Sequence, residues 1–252
     1  MRLAIKVGSS TLCDLGALSR ERMKALCDFI AEFHPANEII LVTSGAVAAG
    51  RTIAPNLSNK KTPERQALAA IGQAALMNLY AALFEPHNIK VAQILITKDD
   101  FESFSRSENA KIALDTLLAH KILPIINEND TVVIDELLRG DNDQLSAKVA
   151  HFFNAELLVI LTDIDGYYDK NPKRFSNATM LAKVAEIPEE LLAQEADPNA
   201  EFATGGIVTK LKAADFLLRR GKKMFLASGF DLSFAREFLR SGSYAKGTLF
   251  AK

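Results

Sequence analysis

Three places in this sequence set polar or charged side chains at a strand end or a helix start, and each could hold an anion. Leu157-Leu158-Val159-Ile160-Leu161 runs into Thr162-Asp163-Ile164-Asp165-Gly166, which offers a hydroxyl and a carboxylate at a strand end. Further on, Thr204-Gly205-Gly206-Ile207-Val208-Thr209-Lys210 reads as a Gly-Gly turn that delivers a lysine at a helix start, so backbone N–H groups and a cation converge on one point. Lys6 interrupts the apolar strand Leu3–Val7 directly before Gly8-Ser9-Ser10. A lysine there either snorkels to solvent, as on an edge strand, or meets an anion, and the small residues after it let a phosphate approach closely. Together these segments suggest a nucleotide-using enzyme.

Three further clusters are less specific. In Thr43-Ser44-Gly45-Ala46, Ser44 could simply cap a helix, or the helix start could receive a carboxylate or phosphate. Asn127-Glu128-Asn129-Asp130 follows a strand, and Gly140-Asp141-Asn142-Asp143 precedes a helical run. Each could be ordinary turn chemistry, since Asn, Asp and Gly populate turns for local reasons. Side by side at adjacent strand ends, they could instead supply acceptors for an amino group and donors for a carboxylate, which is an amino-acid site. The phosphate loop G-x-x-x-x-G-K-[ST], the dinucleotide pattern G-x-G-x-x-G and the protein-kinase signatures are absent, and Asp163-Ile164-Asp165-Gly166 lacks the rest of a calcium loop.

The elements that must carry these turns alternate. Apolar strands are expected at Leu3–Val7, Glu38–Thr43, Val91–Ile96, Leu123–Ile126, Leu157–Leu161 and Lys223–Ala227, with a short apolar terminus Gly247–Phe250. Helical spacing covers Ser19 to about Phe33, Ala46–Gly50, about Glu64–Phe84, 107–120, 142–154 and about Gly206–Arg219, with a polar loop over 51–63. Such alternation predicts an α/β fold whose largely parallel sheet is covered by helices on both faces, and open sheets of that kind bind ligands at the carboxyl ends of their strands.

Composition narrows the function classes. With 252 residues and 48% hydrophobic content the chain can bury a large core, and 30 Lys plus Arg against 31 Asp plus Glu gives no general attraction to nucleic acid or anionic membrane. No apolar run approaches a membrane span, and Lys6 breaks the N-terminal run too early for a secretory signal, so a cytoplasmic protein is expected. Cys13 and Cys27 have no paired spacing, and the four histidines are scattered, which argues against a metal cluster or a His-dependent triad. Cys27 shares a helical stripe with Met23, Leu26 and Ile30 and is expected in the core. No linker divides the sequence, so residues 1–252 are expected to form a single domain.

Taken in order, the motifs resemble those of the amino acid kinase family: Ile5-Lys6-Val7-Gly8-Ser9-Ser10, Val42 to Gly50, Asn127-Glu128-Asn129-Asp130, Gly140-Asp141-Asn142-Asp143, Leu161-Thr162-Asp163 and Thr204 to Lys210. The resemblance implies a three-layer αβα sandwich, the amino acid bound toward the N-terminal half and ATP toward the C-terminal half. It also implies phosphorylation of the side-chain carboxylate of L-glutamate, with Mg²⁺ on the nucleotide phosphates and no metal site of the protein's own. Lys6 and Lys210 would flank the transferring phosphoryl group and Asp143 would hold both. Ser44, Asp130 and Asn142 would bind glutamate, while Lys6, Thr162, Asp163, Thr204, Gly205, Gly206, Ile207, Val208, Thr209 and Lys210 would bind ATP. Proline as feedback inhibitor and a homodimer or homotetramer are implied in the same way. Many family members that phosphorylate glutamate carry a C-terminal PUA domain, and this sequence is expected to represent a form that lacks it. Two alternatives stand: a family member acting on acetylglutamate, uridylate or carbamate, and a non-catalytic nucleotide or amino-acid sensor.

Overall fold

A computed structural model of the chain describes residues 1–58, 60–133, 142–172, 174–193 and 205–252. Eight strands form one sheet: β1 (Arg2–Val7), β2 (Glu38–Val42), β3 (Val91–Ile96), β4 (Leu123–Glu128), β5 (Leu157–Thr162), β6 (Lys183–Val184), β7 (Lys223–Ser228) and β8 (Thr248–Phe250). Their order is β3-β4-β2-β1-β5-β7-β8-β6, parallel except where β8 runs against β7. Among the described residues, seven helices of two turns or more accompany them: α1 (Arg20–Phe33), α2 (Ala46–Ile53), α3 (Thr62–Phe84), α4 (Phe104–Ala119), α5 (Asp143–Phe152), α6 (Gly205–Leu218) and α7 (Ser233–Ser241). The result is the expected α/β sandwich with a largely parallel central sheet.

Side-chain alternation along the strands assigns the two faces. Leu3, Ile5 and Val7 of β1 pack with Met23, Leu26 and Ile30 of α1, Leu76 and Tyr80 of α3 and Ala235 of α7. Cys27 lies in that core, as expected. Ala4 faces the other way, onto Ala147 and Ala150 of α5 and Leu211 and Ala214 of α6, and a second patch there joins Ile40 and Val42 to Leu114 of α4. Lys6 shares the face of Ala4, so a central strand aims it at the layer that holds α5 and α6. The chain runs outward from β1 through β2, β3 and β4 on one side and resumes at β5 on the other. The strand order reverses between β1 and β5, the place where such sheets leave a crevice.

Most expected boundaries fall within a residue or two of the observed ones. The polar loop over 51–63 is shorter than expected, because α2 continues to Ile53 and α3 starts at Thr62. Pro63 is tolerated in the first turn of α3, where its missing N–H has no helical acceptor to lose. After Gly8 come a single turn, Ser9–Leu12, and a small hairpin of Cys13–Asp14 with Ala17–Leu18.

The expectation that no segment approaches a membrane span needs correcting. The helical stretch Thr62–His87 is long and apolar enough by composition, with a mean hydropathy of 1.6. Its apolar residues are interspersed with polar ones and pack inside the protein: Leu68, Leu76, Tyr80, Leu83 and Phe84 are buried. It is a core helix.

Helices α2 and α3 meet backbone to backbone. A Cβ built on Gly72 would collide with the carbonyl oxygen of Ala46 and the amide of Gly50, and one on Gly50 would collide with the backbone of Leu68. Neither obstacle is a flexible side-chain end, so relief requires moving a helix. Gly72→Ala is therefore expected to destabilise the fold by roughly 1–3 kcal/mol, the usual scale of overpacking. Urea denaturation of the purified variant checks this, and a change within about 0.5 kcal/mol would show that the helices slide apart without penalty.

Candidate active site

The carboxyl ends of the central strands converge on one buried carboxylate. Asp143 opens α5, where an acidic side chain suits the positive end of the helix dipole. Lys6 Nζ at the end of β1 donates to Asp143 Oδ1 at 2.5 Å, and Lys210 Nζ in α6 donates to Asp143 Oδ2 at 3.0 Å. The Thr209 hydroxyl also reaches Oδ2, at 3.1 Å, and Lys210 donates to the Gly206 carbonyl at 3.0 Å. Side-chain exposure is 6% for Lys6, 10% for Lys210 and 0% for Asp143. Among the described residues, two ammonium groups thus share one carboxylate, and the surplus positive charge in a poorly solvated place favours an incoming anion. Glycines leave room for it: a Cβ on Gly8 would lie 3.5 Å from Lys6 Nζ, and one on Gly206 would lie 3.7 Å from Lys210 Nζ.

Two cavities are walled by residues bonded to this cluster or next to it in the chain. The first, about 380 Å³, is lined by residues that include Ser9, Ser44, Gly45, Asn127, Asp130 and Asn142. The second, about 200 Å³, has walls that include Asp163, Tyr167, Lys170, Asn171, Ile207 and Lys210. Asn142 on the first wall adjoins Asp143, and Lys210 on the second bonds to it, so the triad of charges stands where the two cavities approach each other.

The first cavity has a built polar wall. Asn142 Nδ2 lies within hydrogen-bonding distance of the Thr43 carbonyl (2.8 Å), Ser44 Oγ (2.9 Å) and Asn127 Oδ1 (3.0 Å). Asn127 passes the chain of amides to Gln73, at 2.9 Å, and Gln73 passes it to Gln93, at 3.2 Å. Asn142 Oδ1 is buried without a donor among the described residues. Ser44 is therefore no helix cap: the capping residue of α2 is Gly45, in the left-handed region at φ 105°, and no side chain caps that helix. Asp130, half-buried just beyond β4, has its carboxyl pushed up to about 6 by burial, with the Arg65 guanidinium pulling the other way.

Residues 1–228 match the sequence profile described as "Amino acid kinase family". The chain belongs to that family. Among curated amino acid kinases it is 54% identical to the glutamate 5-kinase of Wolinella succinogenes, covering all of this chain and 98% of that protein. It is 52% identical to the glutamate 5-kinase of Leishmania donovani, over 99% of this chain and 94% of that one. Among solved structures, an isopentenyl phosphate kinase superimposes over the full length of both chains with a TM-score of 0.67 at 15% identity, which speaks for the amino acid kinase fold alone.

Of the residues expected from the sequence, Lys6, Asp143 and Lys210 form the central cluster, and Ser44, Asp130 and Asn142 share the first cavity. Asp163, Gly206, Ile207 and Lys210 line the second. Thr162 is buried at the end of β5, and its hydroxyl bonds to Asp163 rather than facing that cavity. Val208, on the buried face of α6, packs into the core, and Thr209 turns to Asp143. Thr204, Gly140 and Asp141 lie outside the described residues, and Gly205 begins α6. Sequence reasoning left out Arg65 and, as an individual site residue, Asn127.

Two outcomes follow from the buried charges. Asp143→Ala leaves two buried ammonium groups without their shared carboxylate and should lower stability by about 3–5 kcal/mol in urea denaturation; a loss below about 1 kcal/mol would mean the lysines find other anions. Asp130 acts in the opposite sense. Between an unfolded value of 3.8 and a folded value of about 6, the folded state holds a proton that the unfolded chain has released, so its contribution to stability is lost as pH rises through that window. Asp130→Asn should accordingly raise Tm more at pH 7.5 than at pH 5, and an equal change at both pH values would contradict the assignment.

Proposed function

We infer that this protein transfers the γ-phosphoryl group of ATP to the side-chain carboxylate of L-glutamate, giving L-glutamyl 5-phosphate and ADP, the first step of proline biosynthesis. The observation that carries the reading is the Lys6–Asp143–Lys210 cluster, with Lys210 on the wall of one cavity and Asn142, the neighbour of Asp143, on the wall of another, in a chain whose relatives at 54% and 52% identity are glutamate 5-kinases. In the transfer, a carboxylate oxygen of glutamate forms a bond to the γ-phosphorus while the bond from that phosphorus to the β–γ bridging oxygen breaks, and the electron pair leaves with ADP. The acceptor carboxylate is already ionised near neutral pH, so no side chain need take a proton. What remains is to align two anions and stabilise the charge spread over the transferring oxygens.

Lys6 and Lys210 supply that stabilisation in this reading, and Asp143 fixes both ammonium groups in advance so that they need not reorganise. Ser44, Asp130 and Asn142 hold glutamate in the larger cavity, with the unpartnered Asn142 Oδ1 available to an N–H donor. Thr162, Asp163 and the segment from Thr204 to Lys210 hold ATP, Thr162 by orienting Asp163 and Val208 and Thr209 by shaping the start of α6 around Lys210. The acceptor half is then the N-terminal one and the donor half the C-terminal one, within one kinase domain.

No group of three or more His, Cys, Asp or Glu side chains among the described residues could hold a metal by itself. Mg²⁺ would enter on the nucleotide phosphates, where it offsets charge repulsion as in other phosphoryl transferases, with Asp163 a carboxylate on the donor wall. A cytoplasmic setting, assembly as a homodimer or homotetramer and feedback inhibition by proline belong to the same reading.

Steady-state ADP release with glutamate, N-acetylglutamate, aspartate, carbamate and UMP as acceptors tests it: glutamate is expected to be preferred, and a clear preference for another acceptor would overturn the reading. Lys210→Ala is expected to lower kcat by roughly 10²- to 10³-fold, the scale of one preorganised transition-state contact. Near-normal turnover in that variant would remove Lys210 from the chemistry.

A further inference from the structure

One charged group on the acceptor cavity has no task in the chemistry described so far. Arg65 stands in the first turn of α3 and lines the cavity. Its Nε is buried and, among the described residues, has no hydrogen-bond partner. A buried guanidinium N–H left without an acceptor is costly unless a ligand provides one. Arg51 lines the same cavity, but it is exposed and lies against the turn at Gly16, where a Cβ would come within 3.2 Å of its Nη1. Ser44, Asn127 and Asn142 are neutral, and Asn142 Nδ2 donates toward the other two.

Arg65 also has a counterpart. It is close enough to Asp130 for its charge to bear on that carboxyl, and both side chains present themselves to the one cavity. A carboxylate and a guanidinium displayed together match the two charges of an α-amino acid head, the ammonium and the carboxylate borne on one carbon. A dicarboxylate without the amine, or an amino acid whose α-carboxyl is masked, would satisfy only one of them. The planar fork of arginine also fits a carboxylate through two parallel hydrogen bonds, which a lysine at the same place would not reproduce.

We propose that Arg65 is a specificity-determining residue that binds the α-carboxylate of the acceptor, working with Asp130 on the α-ammonium so that the cavity reads the zwitterionic head while the side-chain carboxylate lies toward Lys6 and Lys210. This deepens the acceptor reading given above and rests on it.

Steady-state kinetics of the whole chain with two acceptors, glutamate and its α-carboxamide, test the proposal, because both keep the side-chain carboxylate and only one keeps the α-carboxylate. The wild-type protein should favour glutamate in kcat/KM by roughly 10- to 100-fold, the worth of one charge-assisted pair. Arg65→Gln should raise KM for glutamate by a similar factor, lower kcat far less, leave KM for ATP in place and erase most of the preference between the two acceptors. Arg65→Lys should restore only part of that preference. A folded Arg65→Gln protein that keeps the wild-type ratio would overturn the proposal and assign the α-carboxylate to backbone N–H groups at the start of α2. Equal use of both acceptors by the wild-type protein would overturn it without any variant. Absence of glutamate turnover in the wild-type protein would strike the acceptor reading itself, and the proposal with it.

Discussion

The architecture depends on one carboxylate being able to hold two ammonium groups out of water. Asp143 has no exposed surface, and Lys6 and Lys210 have almost none, so each charge would be expensive to bury alone. Their mutual attraction and the added hydrogen bonds from the Thr209 hydroxyl to Asp143 and from Lys210 to the Gly206 carbonyl make the arrangement tenable. Other placements follow from it. β1 must be central so that Lys6 is enclosed, α5 must begin at the strand ends so that its first residue meets Lys6, and α6 must lie beside α5 so that Lys210 reaches the second carboxylate oxygen.

The same carboxylate organises the space around it. The larger cavity is walled by turns from the β2 and β4 side of the sheet, and the smaller by turns after β5 and the start of α6. Residues adjoining or bonded to Asp143 form part of each wall, so the distance between whatever occupies the two is set by a fixed charge pair rather than by a flexible loop. The amide chain from Asn142 through Asn127 and Gln73 to Gln93 stiffens the larger cavity from behind, because each amide is directional and each is bonded to the next.

Much of this was legible locally and little of it at long range. Strands and helices showed in the apolar periodicity, and the polar turns at strand ends marked where ligands could sit. The role of Asp143 was not written in its neighbourhood: its partners lie 137 and 67 residues away, so the turn that holds it stood out locally but its part in joining two lysines came only by resemblance. Ser44 looked like a cap because serine before a helix commonly is one, yet Gly45 takes the capping position with a positive φ and leaves the serine hydroxyl to Asn142. Lys6 looked like a possible edge lysine because strand neighbours are invisible in one dimension; Val42 on one side and Ile160 on the other enclose it. Arg65 follows a polar, proline-containing segment and reads as an ordinary surface residue in an opening helical turn. Only the tertiary structure turns it inward.

The reversal of strand order at β1 has a consequence for how the chain must acquire its shape. β1 precedes the other strands of its sheet in the chain, yet one of its two neighbours, β5, begins at residue 157 and the counter-ion of its lysine lies at 143. Until that much chain exists, β1 has an open edge and a charged side chain with nowhere to go, and the portion built from β1 to β4 cannot close its own sheet. Contacts of such sequence separation carry a large loop-closure cost, which places them among the slower steps of folding. The buried charged cluster thus joins segments far apart in the chain, and it can close only once residues 143 and 210 are both present.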